Sequence, residues 1–490
     1  MISRNQLLEE KYGAKFKWFA VLAVIIGLMA SILSSTMINV ALTNIMAEYR
    51  ITQASAQWMS TGFLSATTIC MLSTAWLLKN YGARAAFMLA TALFFSGCML
   101  GQFAPNFNLL IFSRLLQGAG AGILQPLSMA LVFLLFPANR RGTAIGIFSM
   151  VVVLGPAVGP TIGGVITDSL DWHYTFTAGL PLTIFAGILG WIFLPDRTEI
   201  GARSRFNFIS FGFVSVAVSC FLIGLSNSQF YDIGDTLVAP FLAISLIALT
   251  IFILRDARSQ APLLRLQMFR NLYFTSTVLI GAITSAGMFS SIYMVPLFAR
   301  TVLNASATDA GLMLLPGGLA LAAVSPLVGR MVDRMPPHRL LFTGIVLFFI
   351  SSIGISFSDQ FSGFWLVAGW IILSRTALGF ILPSNSTLSL SSMPPEHVPQ
   401  ASGALNFCRM LGGTAGVNVI AVLITARSNH YETDLMEIGA ADVITYDEYL
   451  TATSSTFQDC FLIAGIFFAL ALIPACYISW QSSIKKGPVQ

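Results

Sequence analysis

Long apolar runs alternate with short polar breaks almost from one end of the chain to the other. Runs near 18–46, 57–78, 85–104, 108–135, 142–167, 174–195, 207–228, 236–254, 272–299, 309–329, 339–357, 363–390, 401–425 and 458–480 are each close to membrane-crossing length. A helix needs roughly 20 apolar residues to cross a bilayer. The pattern therefore predicts fourteen membrane helices in an all-α polytopic membrane protein. The first, fourth, fifth and twelfth runs are longer than a bilayer requires and polar at one end, so those helices tilt or protrude.

Composition agrees with this pattern. Of the 490 residues, 56% are hydrophobic and only 10% are charged, and the mean hydropathy is +0.79. Soluble domains carry about 25% charged residues. The net charge of +5 does not point to nucleic acid, because the basic residues are scattered between apolar runs. The six cysteines lie in or beside apolar runs without metal-ligand spacing, and read as small buried side chains. No metal or cofactor is expected. The polar N-terminus and long first run do not fit a cleavable signal peptide.

Lys and Arg set the orientation. Of the 26, Arg50, Arg300 and Arg427 fall on one side, Arg114, Arg375 and Arg409 lie within apolar runs, and the remaining twenty fall on the side that holds both termini. Both termini are thus expected in the cytoplasm. The longest break on the other side, about 427–457, carries six acidic residues; it could form a small ordered cap, but reads first as a solvated acidic loop.

The chain also repeats itself. Ser113–Arg114 with Pro126 in the fourth run is echoed by Ser374–Arg375 with Pro383 in the twelfth. A short basic break precedes each, and a Gly-rich run follows each. Two parallel six-helix units would give this pattern. The expected division is residues 1–200 as one six-helix bundle, 201–262 as two additional peripheral helices, and 263–490 as a second six-helix bundle.

Ionisable groups within a span are costly and read first as functional. All 21 acidic residues fall in breaks, tails or span ends. The interior charges are instead arginines. Arg114 and Gln117 share a helix face, as do Asn406 and Arg409; Arg114 either faces a cavity with Gln117 or caps carbonyls of a neighbouring broken helix. Asn39 is a neutral polar residue within the first run that could meet substrate or a neighbouring helix. Arg375 reads as nearer the cytoplasmic edge, in a structural role. Met288, Phe289, Tyr293 and Met294 could line an apolar pocket, although such stripes more often face lipid or core. The fifth run holds Gly155, Pro156, Gly159, Pro160, Gly163 and Gly164. In a membrane bundle small residues let a partner helix approach closely. That partner is expected from the other half of the molecule, with the prolines bending the span.

Taken in order, these residues resemble the fourteen-helix drug:proton antiporter branch of the major facilitator superfamily, the Emr-type multidrug exporters. Leu33 to Leu42 is similar to its L-D-x-T-I-V-N-V-A-L pattern, Arg114 to Gly118 to R-x-x-Q-G, and Gly155 to Gly164 to the exporter motif G-P-x-x-G-P-x-x-G-G. Trp172 and Phe176 fit a W-R-W-x-F signature in which His173 replaces Arg. Pro262–Leu263–Leu264 and Ala401–Ser402–Gly403 also fit. Two departures stand out. Ser34 occupies the place of the first-helix carboxylate, and Lys79 that of the Asp in the G-x-L-x-D-R-x-G-R-R loop. The second copy of that loop keeps Gly329, Asp333 and Arg334, a cytoplasmic latch that the resemblance makes through charge pairs.

The resemblance implies a major facilitator fold and a secondary active transporter, not an enzyme. It would export amphiphilic small molecules by alternating access, in exchange for protons, from a bacterial inner membrane. The implied cavity residues are Asn39, Arg114, Gln117, Asn406 and Arg409, with the exporter motif as a packing hinge. Some such exporters work with a periplasmic adaptor and an outer-membrane channel, which are candidate partners. A dedicated exporter of one anionic metabolite, such as an organic acid or siderophore, is the alternative. A membrane enzyme or receptor is the rival class. No HExxH or nucleotide-binding G-x-x-x-x-G-K-[ST] pattern appears. With arginines and no carboxylates inside, the cavity is expected to favour neutral or anionic amphiphiles over lipophilic cations.

Overall fold

The computed structural model describes residues 10–13, 15–196, 204–229, 231–438 and 446–484. The helices that cross the apolar layer are α1 (Lys15–Tyr49), α2 (Trp58–Met71), α3 (Thr74–Gln102), α4 (Phe107–Leu135), α5 (Arg141–Ser169), α6 (Leu180–Phe193), α7 (Phe208–Asn227), α8 (Ala239–Ala257), α9 (Leu272–Thr301), α10 (Ala307–Val332), α11 (Pro337–Ile355), α12 (Phe364–Ser391), α13 (Val398–Ile438), α14 (Tyr446–Ala469) and α15 (Leu472–Ile484). No strand occurs among the described residues. Short polar residues start several helices by accepting orphan backbone N–H groups. Asn106 Oδ1 accepts from Leu109 N (2.9 Å), and Ser306 Oγ from Asp309 N (3.0 Å).

Among the described residues, thirteen helical segments are long and apolar enough to cross a bilayer. The remaining expected crossing, near 57–78, is formed in two pieces. α2 supplies most of it and the first turns of α3 complete it. The chain then breaks at Gly82 (φ +83°, ψ 172°) and the next crossing begins. Only glycine adopts that backbone without strain. α14 and α15 likewise share the last crossing.

The helix pairings repeat. α1 packs on α5, and α9 on α13; α2 and α3 flank α4, as α10 and α11 flank α12. Backbones meet through glycine. A Cβ on Gly118 would lie 2.4 Å from the Phe63 carbonyl oxygen, and one on Gly122 would lie 2.2 Å from that of Thr67. The two sets meet where α5 contacts α10 and α12, and where α13 contacts α2 and α4. α7 and α8 pack on one another beside this assembly, with Ser245 Oγ donating to the Ala217 carbonyl (2.8 Å).

Three sequence expectations change. The break at 427–457 is largely helical, because α13 continues to Ile438 and α14 begins at Tyr446. Arg427 and the Tyr431 hydroxyl both reach Asp459, at 3.6 and 3.0 Å, and tie the two helices together. Asp256 lies in the last turn of α8 rather than in a loop, and is buried. Its carboxylate accepts from Leu263 N (3.0 Å) and Leu264 N (2.8 Å), so the Pro262–Leu263–Leu264 segment folds back onto it. Cys476 is exposed, while Cys98 and Cys460 are buried.

Candidate functional site: a central cavity and its closed end

A cavity of about 300 Å³ lies between α1, α2, α4 and α5 on one side and α9, α12 and α13 on the other. That is the lower end of the roughly 300–1,000 Å³ range for small-molecule sites. Ile32, Phe63, Phe148, Met288, Phe289 and Ile292 give it apolar walls. Small hydroxyls, Gln125 and Asn406 give it polar points, and Arg114 and Arg409 give it charge. No Asp, Glu or His lines it among the described residues.

Arg114 is 1% exposed. Its Nε donates to the Met59 carbonyl (3.2 Å) and its Nη1 to Gln117 Oε1 (2.6 Å). Its guanidinium lies 4.3 Å from the Phe63 ring centroid, a favourable cation–π placement. Ser34 Oγ approaches the same Gln117 oxygen at 3.5 Å, the long limit of a hydrogen bond. Arg114 Nη2 and Gln117 Nε2 are buried and find no protein partner among the described residues. Gln117 itself stands behind Arg114 rather than on the cavity wall.

Arg409 enters from the other side. Its Nη2 donates to Ser386 Oγ (3.1 Å), and its buried Nε has no partner among the described residues. Neither arginine makes an ion pair among the described residues. Asn406, one turn before Arg409, closes one end of the cavity. Its Oδ1 accepts from Gln125 Nε2 (3.2 Å), and its Nδ2 donates to the Ser402 carbonyl (2.9 Å). Ser402 Oγ donates to the Pro126 carbonyl (2.8 Å), a second tie between α13 and α4.

Beyond that end, on the face rich in arginine, α5 and α10 press together. Cβ atoms built on Gly142 and Gly329 would each lie 2.5 Å from the other's carbonyl oxygen, and one on Gly146 would lie 2.6 Å from that of Ser325. Asp333, at the end of α10, uses this approach. It accepts from Gly142 N (2.7 Å), Thr143 N (2.9 Å) and Thr143 Oγ1 (2.5 Å). A carboxylate from one helix thus caps the N-terminus of another, where orphan donors and the helix dipole both favour negative charge. The latch forms no charge pair among the described residues, contrary to the expectation from the resemblance. Arg334 is exposed beside it. The corresponding first break is held differently. Asn80 accepts from Ser204 N (2.8 Å), while Arg84 pairs with Asp196 (3.2 Å).

The exporter-motif glycines do not meet the other half of the molecule. A Cβ on Gly155 would strike Ile32, one on Gly159 would strike Thr36, and one on Gly163 would lie 2.9 Å from Met37 Cα. All three face α1, the neighbour within the same set. Gly164 has only an ordinary contact, 3.8 Å from Val40. α5 runs unbroken through both prolines; Pro156 lines the cavity and Pro160 is exposed. The close contacts between sets belong to Gly142 and Gly146, nearer the start of α5.

A family model for the Major Facilitator Superfamily matches residues 24–417. The chain belongs to that superfamily. It is 30% identical over 405 residues to the MFS-type transporter YcnB of Bacillus subtilis, covering 82% of this chain and 84% of that one. It is 27% identical over 450 residues to the lincomycin resistance protein LmrB of the same organism, covering 91% and 92%. Its fold matches the crystal structure of the human organic anion transporter MFSD10 with a TM-score of 0.66, at 15% identity and with 94% and 99% covered. The protein is thus a multi-pass membrane transporter of the major facilitator superfamily, with antibiotic-resistance transporters among its relatives.

Within this transporter the structure brings Arg114, Asn406 and Arg409 to one cavity and leaves Gln117 behind Arg114. The side chain of Asn39 lies outside the described residues. Arg375 sits nearer the Phe364 end of α12 than the arginine-rich face, contrary to expectation, and donates to Ser291 Oγ (3.1 Å); it follows the start of α12 more closely than it precedes Ser391 at the other end. Met288 and Phe289 reach the cavity, Met294 is buried elsewhere and Tyr293 is partly exposed. Sequence reading missed Phe63, Phe148 and Gln125. Gln125 had a signal, since Arg114, Ala121 and Gln125 follow helical spacing along one face of α4.

Proposed function

We propose that this transporter exports amphiphilic small molecules by alternating access, exchanging them for protons across a bacterial inner membrane. The arginine-rich face is the cytoplasmic one in this reading, in keeping with the bias of Lys and Arg toward the side of the termini. Residues 1–200 and 263–490 are the two rocking bundles, and residues 201–262 are an accessory pair. A periplasmic adaptor and outer-membrane channel, if recruited, would meet the opposite face.

The observation that carries the reading is a mostly apolar cavity walled by both helix sets and shut at one end. Asp333 on the α5 N-terminus and the Gln125–Asn406 bridge make that closure. Both are few, polar and reversible, as a gate requires. The name of LmrB adds an antibiotic-resistance context. Proton exchange rests on the family resemblance, and the cavity offers it no carboxylate among the described residues.

The test is transport in liposomes holding the purified protein. A panel of neutral, anionic and cationic amphiphiles is measured with and without an imposed pH gradient. The reading expects uptake into inverted vesicles that the gradient accelerates. Uptake unaffected by the gradient removes the proton, and no uptake of any amphiphile removes the export reading.

A further inference from the structure

We infer that the central cavity is an anion site, in which Arg114 and Arg409 take the acidic group of an amphiphilic organic carboxylate that the transporter carries. This deepens the export reading and rests on it. Arg114 and Arg409 both line one cavity, and no ion pair neutralises either among the described residues. A buried charge without a counter-charge is costly. The local groups relieve this only in part. Arg114 spends Nε on a carbonyl and Nη1 on Gln117, leaving buried Nη2 unpartnered, and Arg409 leaves buried Nε unpartnered. Both are donors closed off from the cavity in this conformation, Arg409 Nε lying against Gly281, so each guanidinium must turn toward the cavity to meet a carboxylate, which then supplies charged acceptors that match its edge.

The rest of the wall selects the body of the same molecule. Phe63 lies under the Arg114 guanidinium, with Met288, Phe289 and Ile292 across the cavity. An inorganic anion would leave that apolar surface unused. A lipophilic cation would use the surface but face two like charges at low dielectric. An organic acid with a compact apolar body satisfies both halves of the site.

The test uses three probes that share one naphthyl body: naphthaleneacetic acid, its amide, and naphthylmethyl-trimethylammonium. Binding is measured on the full chain in nanodiscs, in chloride and in gluconate buffer, alongside uptake in liposomes. The acid should bind at least about tenfold more tightly than either analogue, since hydrogen bonds to charged groups exceed neutral ones by that order. Ser34→Asp places a carboxylate within reach of the Gln117–Arg114 pair while keeping both arginines. It should bring the acid-to-amide ratio toward one, as should Arg409→Gln.

The inference is overturned if the amide or ammonium probe binds as well as the acid. It is also overturned if chloride abolishes the acid's advantage, because the site would then hold an inorganic ion. If the amide is carried but the acid has no advantage, export stands and the anion site falls. If folded protein binds none of the three, both fall.

Discussion

Asp333 holds Thr143 twice, accepting its backbone N–H at 2.9 Å and its hydroxyl at 2.5 Å. With the Gly142 N–H, one carboxylate serves three donors at the start of α5 from the end of α10. The two helix sets meet here at backbone distance, so the contact reports directly on whether this face is shut.

Removing the cap should loosen that closure. Loss of an N-cap costs about 0.5–2 kcal/mol, enough to shift a two-state equilibrium severalfold. Asp333→Ala should open this face more than Asp333→Asn, which keeps an acceptor but loses charge. A single cysteine in place of Ser149, which lines the cavity without joining the closure, labelled by a bulky maleimide added on the arginine-rich face, measures it. Equal labelling in wild type and both variants would remove Asp333 from the gate.

Glycine substitutions along α5 should separate into two classes. Gly146→Ala meets backbone of α10, with a carbonyl oxygen at 2.6 Å and a Cα at 2.9 Å, and should prevent full closure between the sets. Gly163→Ala meets the backbone of Met37 and should lower thermal stability by about 1–3 kcal/mol, as overpacking does. Gly159→Ala meets the Thr36 side chain, which can turn aside, and Gly164→Ala meets nothing closer than 3.8 Å. Their costs should fall in that order. A flat series in thermal unfolding would contradict the packing described.

Legibility in the sequence follows from how local each signal is. The crossings were readable because a bilayer imposes a run length on every helix, and the break at Gly82 sits in the short basic break between two of them. Arg114, Asn406 and Arg409 were readable because charge and amide stand out in apolar runs. The partner of a small helical face was not. Gly155 to Gly163 announce close packing, but whether α1 or α10 provides the opposing surface depends on tertiary arrangement. Asp333 stands out in the sequence as a carboxylate in a short basic break, while its partners do not, because two of the three are backbone N–H groups that carry no side-chain signature. Asp256 looked like a loop residue because nothing local shows that the chain turns back to bury it.

Asp256 should matter for folding. It is 1% exposed and bonds two backbone N–H groups. Asp256→Ala leaves both donors unsatisfied, at about 1–3 kcal/mol each when buried. A clear loss of thermal stability is expected in detergent, and an unchanged unfolding temperature would show that the segment re-pairs.

The far face carries a pH-sensitive clasp. Asp171 accepts the His173 backbone N–H (2.8 Å) and contacts the His173 ring (2.5 Å). The backbone bond chiefly, and then the ring contact, hold its carboxyl below the ordinary value. A depressed carboxylate stabilises the fold above its unfolded pKa, about 3.9, and loses that contribution as pH falls through the lower folded value. The wild-type advantage over Asp171→Asn in thermal unfolding should therefore persist at neutral pH and vanish only below about pH 3.9. An advantage that disappears nearer pH 6 would assign it to another group.

The central claim is that two helix sets rock about the cavity and that this conformation is shut on the arginine-rich face. Paired spin labels at Ala138 and Arg339, both exposed and on opposite sets, test it most directly. Double electron–electron resonance in nanodiscs should give a short distance in wild type and a second, longer population that grows in Asp333→Ala. One unchanging distance in both proteins would contradict the account.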